Sequence, residues 1–81
     1  MPYQAHAQST KQKYVVDLTD DAGHVWHVDL PAEAGGGGTA PNPMQVVLSA
    51  LGACTSVTLQ MYADHKGWDL QSVKVDLVLD P

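Results

Sequence analysis

The chain contains no arginine, and its only positive side chains are Lys11, Lys13, Lys66 and Lys74. Nine acidic residues bring the formal net charge to -5. Nucleic-acid binding calls for a basic patch, so this balance argues against it. It also disfavours adhesion to anionic membranes. Cysteine is scarce too: Cys54 stands alone. One cysteine excludes an intramolecular disulfide, and nothing in the composition points to a secreted, disulfide-stapled scaffold. The reducing cytoplasm is therefore the expected compartment. The segment MPYQAHAQSTKQK carries no apolar core of a signal peptide, which predicts no export.

Charge is also missing from residues 34–63, which raises the question of a membrane span. A span needs about 20 predominantly apolar residues. Here Gln45, Ser49, Gly52, Thr55, Ser56, Thr58 and Gln60 interrupt the run. The expectation is a helix buried by protein on most of its faces, with no membrane partner.

Eighty-one residues make a single small domain with a modest core. Residues 1–12 are polar and read as a frayed tail, leaving one domain over residues 13–81. Lys13–Thr19 and His24–Leu30 alternate as strands, with Asp20-Asp21-Ala22-Gly23 as the turn between them. Gly23 takes the positive φ that such a turn needs. After Pro31 come four consecutive glycines, Gly35 to Gly38. They read as a flexible linker. A phosphate loop does not fit, because the GK[ST] ending is absent. Asn42-Pro43 is a helix start, while Lys66 and Gly67 suit a helix end. The helix between them is about 24 residues, or about 36 Å, long. Leu70–Leu79 alternates again and predicts a further strand, with Val73, Val75, Leu77 and Leu79 on its buried face. The expected fold class is α+β: a β-hairpin, one long central helix and a third strand.

Val47, Leu51, Cys54, Thr58, Met61 and His65 share one face of that helix. Its middle is made of small residues: Ser49, Ala50, Gly52, Ala53, Cys54, Thr55 and Ser56. Gly52 costs about 1 kcal/mol relative to alanine in a helix interior, a cost that close packing can offset. Cys54 is thus expected where another element approaches closely.

The run P-x-P-x6-A-L-G-A-C-T (Pro41 to Thr55), then M-Y-A-x-x-K-G-W-x-L (Met61 to Leu70) and an alternating strand, resembles the OsmC/Ohr superfamily of thiol-dependent hydroperoxide reductases. It is nearer to the OsmC-like branch, and the likeness covers Leu30 to Leu79. The resemblance implies that Cys54 is the peroxidatic thiol. In that family a second cysteine, further along the chain, resolves the sulfenic acid, and an arginine stabilises the thiolate. This chain departs from the pattern. It has no arginine, carries Met44 and Gln45 where the Ohr branch has a glutamate, and ends before the second cysteine helix. It resembles the N-terminal half of a family member.

Cys54 therefore reads two ways: as an inert packing residue, or as a thiol with residual peroxidase activity toward small organic hydroperoxides. It stands about three turns inside the helix, where the macrodipole helps little. A non-catalytic alternative is a dimeric small-molecule-binding or structural protein, with Met44, Met61, Tyr62 and Trp68 lining an apolar pocket or interface. His24 and His27, three apart on a strand, point to opposite faces, and no metal site or cofactor is expected. A sheet covering one side of the helix would leave Val46, Leu48, Val57, Leu59 and Tyr62 in water. That predicts a homo-oligomer, most simply a two-fold dimer through the helix of residues 43–66 and its Gly52–Ser56 region.

Overall fold

The computed structural model describes residues 2–80, in two compact units, Met1–Pro43 and Met44–Pro81. Among the described residues the first unit holds three strands, β1 (Ala5–Ser9), β2 (Val16–Asp20) and β3 (Val25–Val28), in an antiparallel sheet of order β1-β2-β3. The register sets Ala7, Leu18 and Trp26 in one row and Ser9, Val16 and Val28 in the next. That places Val16, Leu18, Trp26 and Val28 on one face, where Val28 is buried, and leaves Val25 exposed on the other.

The hairpin turn forms where the sequence places it. Gly23 has φ +88°, and the Asp20 carboxylate closes the turn. Its Oδ1 accepts the N–H of Ala22 at 2.8 Å and of His24 at 3.0 Å, and its Oδ2 lies 2.7 Å from His24 Nδ1. The His24 backbone N–H, joined by that ring contact, holds the Asp20 carboxyl below the usual carboxylate range.

β1 lies in the stretch expected to fray. Its sequence, AHAQS, is polar, short of β-branched residues and exposed throughout, so propensity gives no signal. Pairing with β2 makes it a strand. The connection is tied by Thr10, whose Oγ1 donates to Val15 O at 2.9 Å and accepts the Gln12 N–H at 3.2 Å.

The second unit is dominated by α1 (Pro43–Lys66), 24 residues long and starting at the expected proline. Its C-terminus is a Schellman turn. Gly67 has φ +71° and donates to Asp64 O at 3.1 Å, while Trp68 N–H donates to Ala63 O at 2.8 Å. Trp68 is thereby folded back, its ring meeting Tyr62 edge-on with centroids 5.5 Å apart.

Residues 70–79 form no strand, in contrast to the expectation. Their period-two burial holds from Ser72 to Val78: Val73, Val75 and Leu77 are half-buried, whereas Ser72, Lys74, Asp76 and Val78 are exposed; Leu79, expected on the buried face, is exposed. A strand needs a ladder partner as well as an apolar face, and among the described residues none pairs with this segment. Its half-buried side faces α1 at Gly52, where a Cβ would stand 2.8 Å from Leu77 Cδ1 and 3.9 Å from Val75 Cγ1. The cost of a helical glycine is met by this close approach.

Little of the helix is buried. Only Gly52 and Ala63 of α1 are buried, and Val47, Leu51, Val57, Leu59, Met61 and Tyr62 are all exposed. By length and hydropathy α1 also qualifies as a membrane span, with a mean hydropathy of 1.4.

Candidate functional site

At about 100° per residue, Cys54 projects about 200° around α1 from Gly52. The close contact foreseen for the small-residue run is thus made at Gly52, and Cys54 lies across the helix from it with its side chain exposed. The whole stripe of Val47, Leu51, Cys54, Thr58, Met61 and His65 is exposed with it. Nearby hydroxyls are occupied within the helix. Ser49 Oγ donates to Gln45 O at 2.7 Å and Thr55 Oγ1 to Leu51 O at 3.0 Å, while Ser56 Oγ accepts from Gln60 Nε2 at 2.9 Å. Among the described residues no hydrogen bond or ion pair reaches the Cys54 sulfur. The first cation along α1, His65 aside, is Lys66, twelve positions on and about 18 Å along the axis. The thiol is exposed, and α1 itself carries no lysine within three turns of it.

The Gly52 side of α1 instead faces a groove of about 590 Å³, formed with residues 75–78 and lined by Leu48, Gly52 and Ser56. A helix–helix approach through Gly52–Ser56 would meet Leu77 and Val75 of the same chain first.

The four candidate pocket residues separate into two places. Met61 and Trp68 border a second groove of about 450 Å³ at the C-terminal end of α1, with Ala63, Asp64 and Leu70. Tyr62 joins them through its ring contact with Trp68, and Lys66 Nζ sits 5.6 Å from the Tyr62 ring centroid. Met44 stands seventeen residues before Met61, about 26 Å away along the helix, and takes no part.

One functional-looking residue was not singled out in the sequence. Asp29 is 1 % exposed, the only buried polar side chain among the described residues. Its Oδ1 accepts the Leu30 N–H at 2.7 Å. Its Oδ2 accepts the Gly37 N–H at 3.2 Å, the Thr39 N–H at 3.2 Å and the Thr39 hydroxyl at 2.8 Å. Thr39, through its hydroxyl first and its N–H second, holds the Asp29 carboxyl below the usual range against the opposing effect of burial. The glycine run is thus a built loop wound around a carboxylate, not a loose linker. The available signal was an Asp followed eight and ten residues later by Gly and Thr.

The family model for OsmC-like protein matches residues 35–80, more than half of the chain. The chain belongs to the OsmC-like family. The match in this OsmC-like chain runs from the glycine loop through α1 and Cys54 to the segment beyond Trp68, close to the span over which the motifs predict it. No curated protein and no solved structure gives a significant match. Of the histidines of the OsmC-like chain, His65 shares the Cys54 stripe of α1 eleven positions on, and His24 is engaged with Asp20 in the hairpin turn. Among the described residues no group of three or more His, Cys, Asp or Glu side chains could hold a metal ion.

Proposed function

We propose that this OsmC-like chain is a cytoplasmic thiol peroxidase of low competence that acts on small organic hydroperoxides through Cys54. The observation supporting it is the exposure of Cys54 on α1, which lets a hydroperoxide reach the sulfur. The thiolate attacks the O–O bond. The sulfur takes up the terminal oxygen as sulfenic acid, and the rest leaves as alcohol after gaining a proton. A second thiol then condenses with the sulfenic acid, releasing water and forming a disulfide. That thiol is either Cys54 of a second copy or a small external thiol, and a further thiol reduces the disulfide. With no arginine in the chain and no cation against the sulfur, the first step lacks the electrostatic help a fast peroxidase needs. Slow turnover is the expected behaviour.

Thiol labelling and peroxide consumption test this together. The native chain is expected to label nearly as fast as the unfolded chain, and Cys54→Ser to bring peroxide consumption down to the buffer rate. Consumption that survives the substitution would eliminate the peroxidase reading.

The same reading includes a homodimer through α1, supported by the exposed apolar surface of that helix. Contiguous patches of this kind are rare on soluble monomers. A second, non-catalytic reading rests on the groove beside Met61 and Trp68, whose size suits a small molecule and whose lining by Gln60, Asp64 and Asp69 favours one with polar groups. It gains if Cys54 proves unreactive in the native dimer.

A further inference from the structure

Residues 70–79 have the alternation of a strand, yet within the second unit no ladder and no backbone hydrogen bond joins them to another described residue. One side of the segment is taken up by α1 through Val75 and Leu77. Its hydrogen-bonding edges are left for a neighbour, and an unpaired edge is a template for another strand. We propose, resting on the homodimer reading above, that residues 72–78 are the dimer seam. They pair antiparallel with the same residues of a second copy, Val75 facing Val75 across the two-fold axis.

Side-chain chemistry selects that register. With Val75 on the axis, Lys74 of each copy stands opposite Asp76 of the other, giving two opposite-charge pairs on the outer face. Val73 stands opposite Leu77 on the inner face. Moving the axis to residue 74 sets Lys74 against Lys74, and moving it to residue 76 sets Asp76 against Asp76. Like charges directly opposite are unfavourable. A shift by a single residue pairs the half-buried positions with exposed ones and turns apolar side chains to the wrong face. Lys74 and Asp76 are available for such pairing, since both side chains are largely exposed and their contact within one chain is a loose 3.8 Å.

The geometry also bears on the uncovered helix. In an antiparallel pair related by a two-fold normal to the ribbon, Val73, Val75 and Leu77 of both copies share one face. Each copy's α1 packs on that face at its own Gly52, so the two helices lie side by side. Apolar flanks that meet water in one chain then cover each other.

Sedimentation equilibrium on the full chain tests the seam. K74D and D76K each convert both cross-strand pairs into like-charge pairs, and each should raise the dimer dissociation constant about tenfold. The double variant K74D/D76K should regain the parent affinity. An equimolar mixture of the two single variants should form heterodimers in preference to either homodimer, because the acidic segment then faces the basic one. A second variant carries the test should a charge change prevent folding. V75C in a C54S background should cross-link in the dimer on mild oxidation, since Cα atoms across the axis are about 4.5–5.5 Å apart, within the reach of a disulfide. A dimer indifferent to the charge exchange, or one in which V75C does not cross-link, overturns the seam and leaves the homodimer standing. A monomer at all concentrations overturns both.

Discussion

Gly36→Ala is expected to destabilise the Met1–Pro43 unit by about 3 kcal/mol or more, the range reached when a side chain is forced into occupied space. A Cβ at position 36 would lie 2.0 Å from Leu30 O, 2.6 Å from Leu30 C and 2.8 Å from Leu30 Cβ. Two of these atoms are backbone and cannot rotate away. Nor is Leu30 free to shift as a whole. Its carbonyl accepts the Gly38 N–H at 3.0 Å, and its own N–H is held by Asp29 at 2.7 Å. Relief therefore requires opening the loop and giving up the Gly36 N–H bond to Pro31 O as well. Gly23→Ala is the useful comparison. Its backbone strain, at φ +88°, comes with open space around the added methyl, so it should cost about 1–2 kcal/mol. Urea unfolding followed by Trp26 emission in a Trp68→Phe background checks both. Native stabilities are only about 5–15 kcal/mol, so the Gly36 variant should sit close to its transition at low denaturant. Equal midpoints for the two variants would mean that the Leu30 contact does not govern the loop.

What the sequence makes legible is local. The hairpin turn, the helix start at Asn42-Pro43 and the helix end at Lys66-Gly67 each depend on a few adjacent residues whose φ preferences or missing donors leave little choice. Less legible are features whose cause lies elsewhere in the chain. β1 is a strand because β2 offers it an edge, and nothing in AHAQS carries that information. For residues 70–79 the alternation names the inner face correctly at Val73, Val75 and Leu77 and fails at the exposed Leu79, and alternation identifies no ladder partner. Cys54 shows the same limit in a helix. Periodicity groups it with Val47, Leu51, Thr58 and Met61, yet periodicity cannot tell which stripe the chain itself covers. The stripe through Gly52 is the one that Leu77 meets, and the cysteine stripe faces outward. The glycine run hides its anchor for a related reason: Asp29 is eight residues from Gly37 and ten from Thr39, beyond the reach of a turn motif.

Asp29→Ala should have the other large effect, because it removes the acceptor around which the loop is built. The N–H groups of Leu30, Gly37 and Thr39 and the Thr39 hydroxyl all lose their partner. The first unit has a single buried apolar side chain, Val28, among the described residues, so packing cannot hold the loop in its place. Hydrogen exchange at Gly37 and Thr39 is the direct measure. Both amides should be protected in the parent chain and should exchange at open-loop rates in Asp29→Ala. Asp29→Asn keeps one oxygen and should fall between them, since an amide can accept from Thr39 or from Leu30 but places an N–H₂ against the other donor. Acid tests the same anchor without a mutation. The native Asp29 carboxyl lies below its ordinary value of 3.8, drawn down by the Thr39 hydroxyl and N–H. A group whose value is depressed on folding contributes its full stabilisation above the unfolded value and loses it as pH falls through the folded one. Protection at Gly37 and Thr39 should therefore persist through neutral and mildly acid pH and be lost below about 3.8. In Asp29→Asn this loss should disappear, with protection flat across the same interval. A parent chain whose loop opens already near neutral pH would place its control on some other group.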